Sequence, residues 1–197
     1  MTERIDAFSI DIQDATSGTL AIWKDKLNAA PKGVILNARV LRELSEAYRI
    51  TRKDEFLIAA TEAKDYLINN FVDHKYGGVY WSLDSNGERL DTIKLVYAQA
   101  AAINAISEYV LATNDESALR HAQNLYELVE KVFKNPDTGK YVDVLNRDWT
   151  PATEVKTTAW TKLFKASLLE PYTNLYRIWQ NPRLRGSIDR LLDSLDK

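Results

Sequence analysis

The sequence predicts an all-α fold in which inner and outer helices alternate along the chain. Three observations lead to this prediction. Apolar residues recur with the spacing of one helix face along most of the chain. A unit of helix, polar break, helix and turn-rich segment repeats, and each turn-rich segment contains glycine. Residues 1–197 are expected to form a single domain, since this length suits one domain with a sizeable core.

The first repeat follows a leading helix that is expected over about residues 3–28. Residues 36–51 place apolar side chains on one face, which predicts a helix. A polar break comes next, and Asp54 is expected to cap a second helix that ends near residue 71. The segment 73–92 contains a glycine pair, alternating aromatic residues and an Asn-Gly turn, and therefore predicts a β-hairpin.

The same pattern then recurs and raises the expected number of helices to about seven. Asn114 and Asp115 are expected to separate two helices, and Asn181-Pro182 to open the last one. The expected elements are helices over 94–113, 116–134, about 157–179 and 183–196, and a turn-rich segment over 135–151.

The repeats align at Ser45, Ser107 and Thr173, which are almost evenly spaced along the chain. A helix pair cannot bury its apolar stripe alone, so consecutive pairs are expected to stack. The alanine-rich stretch 98–106 suits an inner helix, whereas the charged faces within 54–71 and 116–134 suit outer ones. This alternation is typical of a segment of an α/α toroid, and an open α-solenoid without a site is the alternative.

Composition excludes several classes of function. The net charge of -2 disfavours nucleic acid and anionic membranes as partners. No apolar run is long enough to span a bilayer, and residues 1–14 contain no signal-peptide stretch, so a cytoplasmic location is expected. The chain has no cysteine and two histidines, His74 and His121, which disfavours a zinc site. We expect neither a metal nor a cofactor.

Six segments, taken in order, resemble segments of the N-acylglucosamine 2-epimerase superfamily, and in particular of the cellobiose 2-epimerases. The resemblance covers about residues 31–185. The segments are KGVILNAR (32–39), YGGVYWSLDSNG (76–87), LDT (90–92), VYAQA (96–100), RDWTP (147–151) and LEPYTNLYR (169–177).

The resemblance implies half of an (α/α)6 barrel, with about seven helices as inner-outer pairs joined by short β-hairpins. It also implies a sugar 2-epimerase, an isomerase that moves a proton next to a carbonyl group. In such enzymes histidines act as acid and base and an arginine stabilises the enediolate. This chemistry requires a base that titrates near neutrality and a stabilised oxyanion.

Four residues are candidates for sugar binding through this resemblance. Arg39 matches the family arginine. Tyr97 and Gln99 match a pocket-lining segment whose family form is Val-Tyr-Gly-Gln-Ala-Phe, in which Ala101 here replaces the phenylalanine. Trp81 lies in the hairpin that flanks the family's pocket mouth.

Structural roles for these residues stay open. Arg39 is the only residue that matches a catalytic residue of the family. It is expected either to contact a sugar or to form an ion pair with a core carboxylate such as Glu43 or Glu108. Trp81 is expected either to stack on a sugar ring or to cap a helix layer.

Two departures bear on catalysis. The family shows Asn-Thr-His-Leu-His where this chain has Leu163, Lys165 and Ser167 in place of the asparagine and the two histidines. The family's remaining histidine and glutamate lie in the second half of the barrel, which we expect a chain ending at Lys197 to lack.

The missing acid-base pair favours a non-catalytic or degenerate carbohydrate-epimerase-like domain with a small sugar as its ligand. The alternatives are an active sugar 2-epimerase or isomerase whose barrel is completed by homodimerisation, and an engineered half-barrel scaffold. A homodimer is expected in any case, because an open toroid exposes a helix-pair face at each end.

Overall fold

A computed structural model describes residues 31–152 and 168–194, which contain six α-helices and five short strands. The helices are α1 (Val34–Thr51), α2 (Asp54–Tyr66), α3 (Val96–Thr113), α4 (Glu116–Val132), α5 (Leu169–Ile178) and α6 (Pro182–Asp193). The strands are β1 (Lys32–Gly33), β2 (Ser82–Leu83), β3 (Arg89–Asp91), β4 (Lys94–Leu95) and β5 (Val144–Leu145). A π-helical turn, Leu67–Phe71, continues α2.

The helices form two layers. In the inner layer α1 packs on α3 and α3 packs on α5, while α2, α4 and α6 each pack on the inner helix that precedes them. Helix α3 is buried along most of its length, and its alanines at 98, 102 and 105 allow its neighbours to approach closely. Burial of a larger core side chain such as Ile103 contributes about 1.5–3 kcal/mol. The predicted alternation of inner and outer helices is confirmed for these six helices.

Two of the described helices start at a side-chain cap that the sequence indicates, and a third predicted cap is not formed. Asp115 caps α4 and Asn181 caps α6, each through a side-chain oxygen that accepts two backbone N–H groups. The predicted cap at Asp54 is wrong, because Lys53 occupies the N-cap position without a side-chain bond. Asp54 is instead the first helical residue, where its charge complements the helix dipole.

Two expected elements lie wholly or partly outside the described residues. These are the leading helix over 3–28 and the helix expected over about 157–179, whose expected start lies in the segment 153–167. Within the described residues α5 begins at Leu169. Pro171 therefore falls in the first turn, where its missing N–H costs no helical hydrogen bond.

The turn-rich segments form two equivalent hairpin units. Strands β1, β2 and β3 form one antiparallel sheet, and β4 pairs with β5 in a second. Gly77 and Gly139 occupy equivalent positions of the two units, and both have a left-handed φ; their N–H groups donate to the carbonyls of Asp73 and Asn135. The hairpins lie at the N-terminal ends of α1 and α3, since the N–H of Val34 donates to a hairpin carbonyl. They therefore mark one end of the inner face.

Candidate functional site

Two adjoining cavities lie on the face that the described parts of the inner helices share. The first, of about 190 Å³, lies near the hairpins, and the second, of about 280 Å³, lies toward the C-terminal ends of α1 and α3. Arg42, Asn104 and Glu170 line both. The first cavity is also lined by Ile35, Ala38, Arg39, Tyr97, Ala100, Ala101 and Pro171, and the second by Glu46, Arg49, Glu108, Thr173, Asn174 and Arg177.

Arg39 is exposed in the first cavity. Its guanidinium makes no hydrogen bond or ion pair within residues 31–152 and 168–194. The alternative pair with Glu108 is wrong, because Glu108 accepts a 2.8 Å bond from Arg49 Nε and lies 3.8 Å from Arg177 Nη1. As far as the described residues are concerned, Arg39 therefore remains available to a ligand.

A chain of polar contacts crosses all three inner helices next to Arg39. Glu170 Oε1 on α5 accepts from Arg42 Nη1 on α1 at 3.3 Å and from Asn104 Nδ2 on α3 at 2.9 Å. Asn174 Nδ2 donates to Asn104 Oδ1 at 3.0 Å and to Glu108 Oε2 at 3.4 Å. These bonds fix the relative positions of the polar groups that face the cavities.

The four predicted contact residues divide into two pairs. Arg39 and Tyr97 line the same cavity. Gln99 is fully buried, where its amide accepts from Val79 N at 2.7 Å and donates to Val79 O at 3.0 Å. Trp81 is half-buried against the core and does not line either cavity. A sugar contact by Gln99 or Trp81 stays a prediction.

Sequence reasoning missed Arg42, Asn104 and Glu170. A signal for the first two was present, because Arg42 follows Arg39 by three residues and Asn104 follows Tyr97 by seven, spacings that keep each pair on one helix face. Glu170 carried no such signal, since its partners lie 66 and 128 residues away.

A second polar cluster, centred on Asp73, lies under the hairpins. Asp73 and Lys94 are fully buried, and Lys94 Nζ donates to Asp73 Oδ2 at 3.1 Å. Arg147, from the second hairpin unit, donates to both carboxylate oxygens at 2.8 and 3.1 Å. The cluster therefore ties the two hairpin units together.

Burial and charge oppose each other in this cluster. Burial alone would raise the pKa of Asp73, but hydrogen bonds from Arg147 and Lys94 outweigh it and hold this pKa well below its usual range. Burial lowers the pKa of the Lys94 ammonium to about 8, although the bond to Asp73 acts in the opposite direction.

Neither histidine lines the cavities of the inner face. His74 is exposed in the first hairpin unit, and burial on α4 lowers the pKa of His121. In residues 31–152 and 168–194 no group of three or more acidic or histidine side chains is placed to hold a metal ion. The helices of this region are all too short or too polar to cross a bilayer.

Comparisons with known proteins agree with the resemblance. The family model for N-acylglucosamine 2-epimerase (GlcNAc 2-epimerase) matches residues 24–181. A cellobiose 2-epimerase of Bacteroides fragilis is 38% identical over 181 residues, which are 89% of this chain and 46% of that protein.

Two solved structures are similar to this chain over the same part of the fold. The cellobiose 2-epimerase of Bacillus thermoamylovorans superposes with a TM-score of 0.77 at 38% identity, covering 84% of this chain and 44% of the other. That of Spirochaeta thermophila gives 0.75 at 30% identity, covering 83% and 43%. These matches confirm the predicted fold of inner-outer helix pairs, half of an (α/α)6 barrel. The chain spans less than half the length of these relatives.

Proposed function

The chain belongs to the N-acylglucosamine 2-epimerase family, and on that basis we propose that its inner face binds carbohydrate but does not catalyse 2-epimerisation. The observation that carries the proposal is the first cavity, where Arg39 and Tyr97 stand beside Asn104 and Glu170. The relatives act on sugars by name, and this cavity lies on the face that the inner helices share.

The lining of this cavity suits a sugar. Aliphatic side chains and Pro171 supply apolar surface for C–H groups, while Arg39, Asn104 and Glu170 supply donors and acceptors for hydroxyl groups. Each cavity alone is smaller than the ~300–1,000 Å³ of a typical ligand pocket, whereas the two adjoining cavities together reach that range.

The proposal that catalysis is absent rests on the sequence. Lys165 and Ser167, which lie outside the described residues, stand where the family has its histidine pair. Loss of one general acid or base typically costs ~10²–10⁴ in rate, and here two are replaced. Neither His74 nor His121 is among the described residues that line these two cavities.

Calorimetric titration with cellobiose tests binding, and proton NMR of the same mixture in D₂O tests catalysis. We expect binding that weakens in Arg39→Ala but not in Arg120→Ala, which removes an exposed arginine from outer helix α4. We expect no exchange of the C2 proton and no mannose-containing epimer. Exchange or epimer formation in the parent, lost in Arg39→Ala, would show an active enzyme instead.

A homodimer that completes the ring, with or without activity, is the second candidate. The observation that favours it is that large apolar side chains are exposed on the first and on the last of the described helix pairs. Ile50 on α1 is 70% exposed and Ile58 on α2 is 62% exposed at one end, and Leu192 on α6 is exposed at the other. A two-fold axis along the barrel would bring these ends together.

Light scattering tests this assembly. The dimer is expected in the parent and lost in Ile50→Glu, whereas Glu46→Gln, which lies on the inner face, should leave it intact. A monomer at all concentrations would rule it out. The cytoplasmic location also stays a prediction, which cell fractionation would test.

A further inference from the structure

Among the described residues, the charges that line the first cavity do not balance, and this imbalance indicates what kind of sugar the cavity takes. We infer that the cavity binds a sugar bearing an anionic group, a carboxylate or a phosphate, which Arg39 holds through a paired hydrogen bond. The inference rests on the proposed carbohydrate binding and narrows it to one chemical class.

The contrast with the other arginines of the inner face carries the argument. Arg42 lies 3.3 Å from Glu170, Arg49 lies 2.8 Å from Glu108, and Arg177 lies 3.8 Å from Glu108. Arg39 is the one arginine lining these cavities that has no carboxylate partner within the parts of the chain that the structure describes. An anion supplied by a ligand would give it the partner that its neighbours already have.

Of the two cavities, the first has an excess of positive charge among its described lining residues. Arg39 and Arg42 line it, and the one carboxylate among those residues, Glu170, already pairs with Arg42. The second cavity, in contrast, is lined by three arginines and three glutamates and is neutral in sum. A preference for anions is therefore expected near the hairpins and not at the far end of the inner face.

The surroundings of Arg39 favour such a bond. A guanidinium presents its N–H groups as a planar fork that matches a carboxylate or phosphate. Ile35, Ala38 and Ala101 also line the cavity, and the attraction between charges is stronger beside apolar groups than in bulk water. Ala101 occupies the position on α3 that Arg39 occupies on α1 in the repeat, and its methyl group leaves room for a ligand substituent.

The test compares four ligands by calorimetry: glucose, glucuronate, glucose 6-phosphate and inorganic phosphate. Titrations are repeated at about 0.05 M and about 0.5 M NaCl, because salt screens exposed charges. The variants are Arg39→Gln, which removes the charge, and Arg39→Lys, which keeps the charge but not the fork. Arg120→Gln is the matched control, since Arg120 is an exposed arginine on an outer helix.

We expect glucuronate or glucose 6-phosphate to bind about tenfold more tightly than glucose at low salt, the size of one charged hydrogen bond. The advantage should shrink at high salt, vanish in Arg39→Gln, recover in part in Arg39→Lys and persist in Arg120→Gln. Tighter binding of glucuronate than of glucose would identify a carboxylate as the recognised group, and tighter binding of glucose 6-phosphate would identify a phosphate.

Three outcomes would overturn the inference. Equal binding of glucose and both anionic sugars would leave carbohydrate binding intact and refute the anion preference alone. Inorganic phosphate binding as tightly as glucose 6-phosphate would show an ion site that does not recognise the sugar. Failure of every sugar to bind would refute the proposed function as well.

Discussion

Replacing Asp73 by Asn should destabilise the protein strongly without disturbing the turn that Asp73 caps. The carboxylate accepts five hydrogen bonds, from Lys94, from two nitrogens of Arg147, and from the backbone N–H groups of Lys75 and Tyr76. An amide oxygen can keep the two backbone bonds. The amide nitrogen, however, would face Lys94 and Arg147, which are both donors.

The second hairpin unit shows that an asparagine suffices for the turn. Asn135 is the equivalent of Asp73 in that unit, and it accepts from the backbone N–H groups of Asp137 and Thr138 in the same arrangement. Asp73→Asn therefore isolates the ionic part of the cluster. The loss of stability should come from Lys94, which is fully buried, more than from Arg147, whose side chain is 29% exposed and can be hydrated.

Removing one partner of a buried ion pair costs ~3–5 kcal/mol. Because Arg147 can be hydrated, we expect about 3 kcal/mol, the lower end of that range. For a chain of this length that corresponds to a fall in Tm of about 6–12 °C. Asp84→Asn is the control, since within the described part of the chain the carboxylate of this partly exposed turn aspartate accepts from backbone N–H groups alone, and the substitution should cost under about 1 kcal/mol.

Urea denaturation followed by circular dichroism measures these differences. Adding Lys94→Met to Asp73→Asn should recover stability, because the unpaired ammonium is then gone. The depressed pKa of Asp73 means that its stabilisation is present above about pH 4 and is lost as pH falls further, and Asp73→Asn should remove this acid dependence. A loss below about 1 kcal/mol, or strict additivity with Lys94→Met, would refute the reasoning.

Three further substitutions, the first with a matched control, probe the hairpins, the core and a helix end by the same denaturation assay. Gly78→Ala should cost at least about 3 kcal/mol, because the new Cβ would lie 2.6 Å from an aromatic ring carbon and the residue has a φ of +72°. Gly139→Ala has a similar φ of +69° but open space around the new Cβ, and it should cost about 1 kcal/mol. Equal losses of stability would show that packing around Gly78 does not matter. Gln99→Leu should cost roughly 1–3 kcal/mol, because the N–H and C=O of Val79 lose their buried partner, and an unchanged Tm would contradict this. Asp115→Ala should cost ~1 kcal/mol through loss of the α4 cap, and a neutral result would show that the cap is dispensable.

Much of the fold could be predicted because its signals are local or periodic. Asn181 and Pro182 open α6 as their side-chain chemistry requires, and the sequence repeat recurs as matching turns at Gly77 and Gly139. The predicted cap at Asp54 was wrong because α2 starts one residue earlier than a cap at Asp54 requires. Asp54 therefore lies inside the first turn.

Contacts between distant parts of the chain could not be predicted in this way. Asp73 meets Lys94 and Arg147 across 21 and 74 residues, and no spacing rule links them. Gln99 matched a pocket-lining motif, but only the fold reveals that its amide pairs with Val79 in the core. No sequence signal singled out Asp73, Lys94 or Arg147, and for Gln99 the motif did not indicate its partner in the core.

The side-chain amide resonances of Asn104 test the central claim most directly, because Asn104 lines both cavities while its contacts hold it in place. In a ¹H–¹⁵N spectrum recorded during titration with cellobiose, we predict saturable shifts at Asn104 and none at Asn124, which is exposed on α4. The sugar recovered from the sample should be unchanged at C2. Shifts at Asn124 without any at Asn104, or an epimerised sugar, would contradict a carbohydrate-binding inner face that lacks 2-epimerase chemistry.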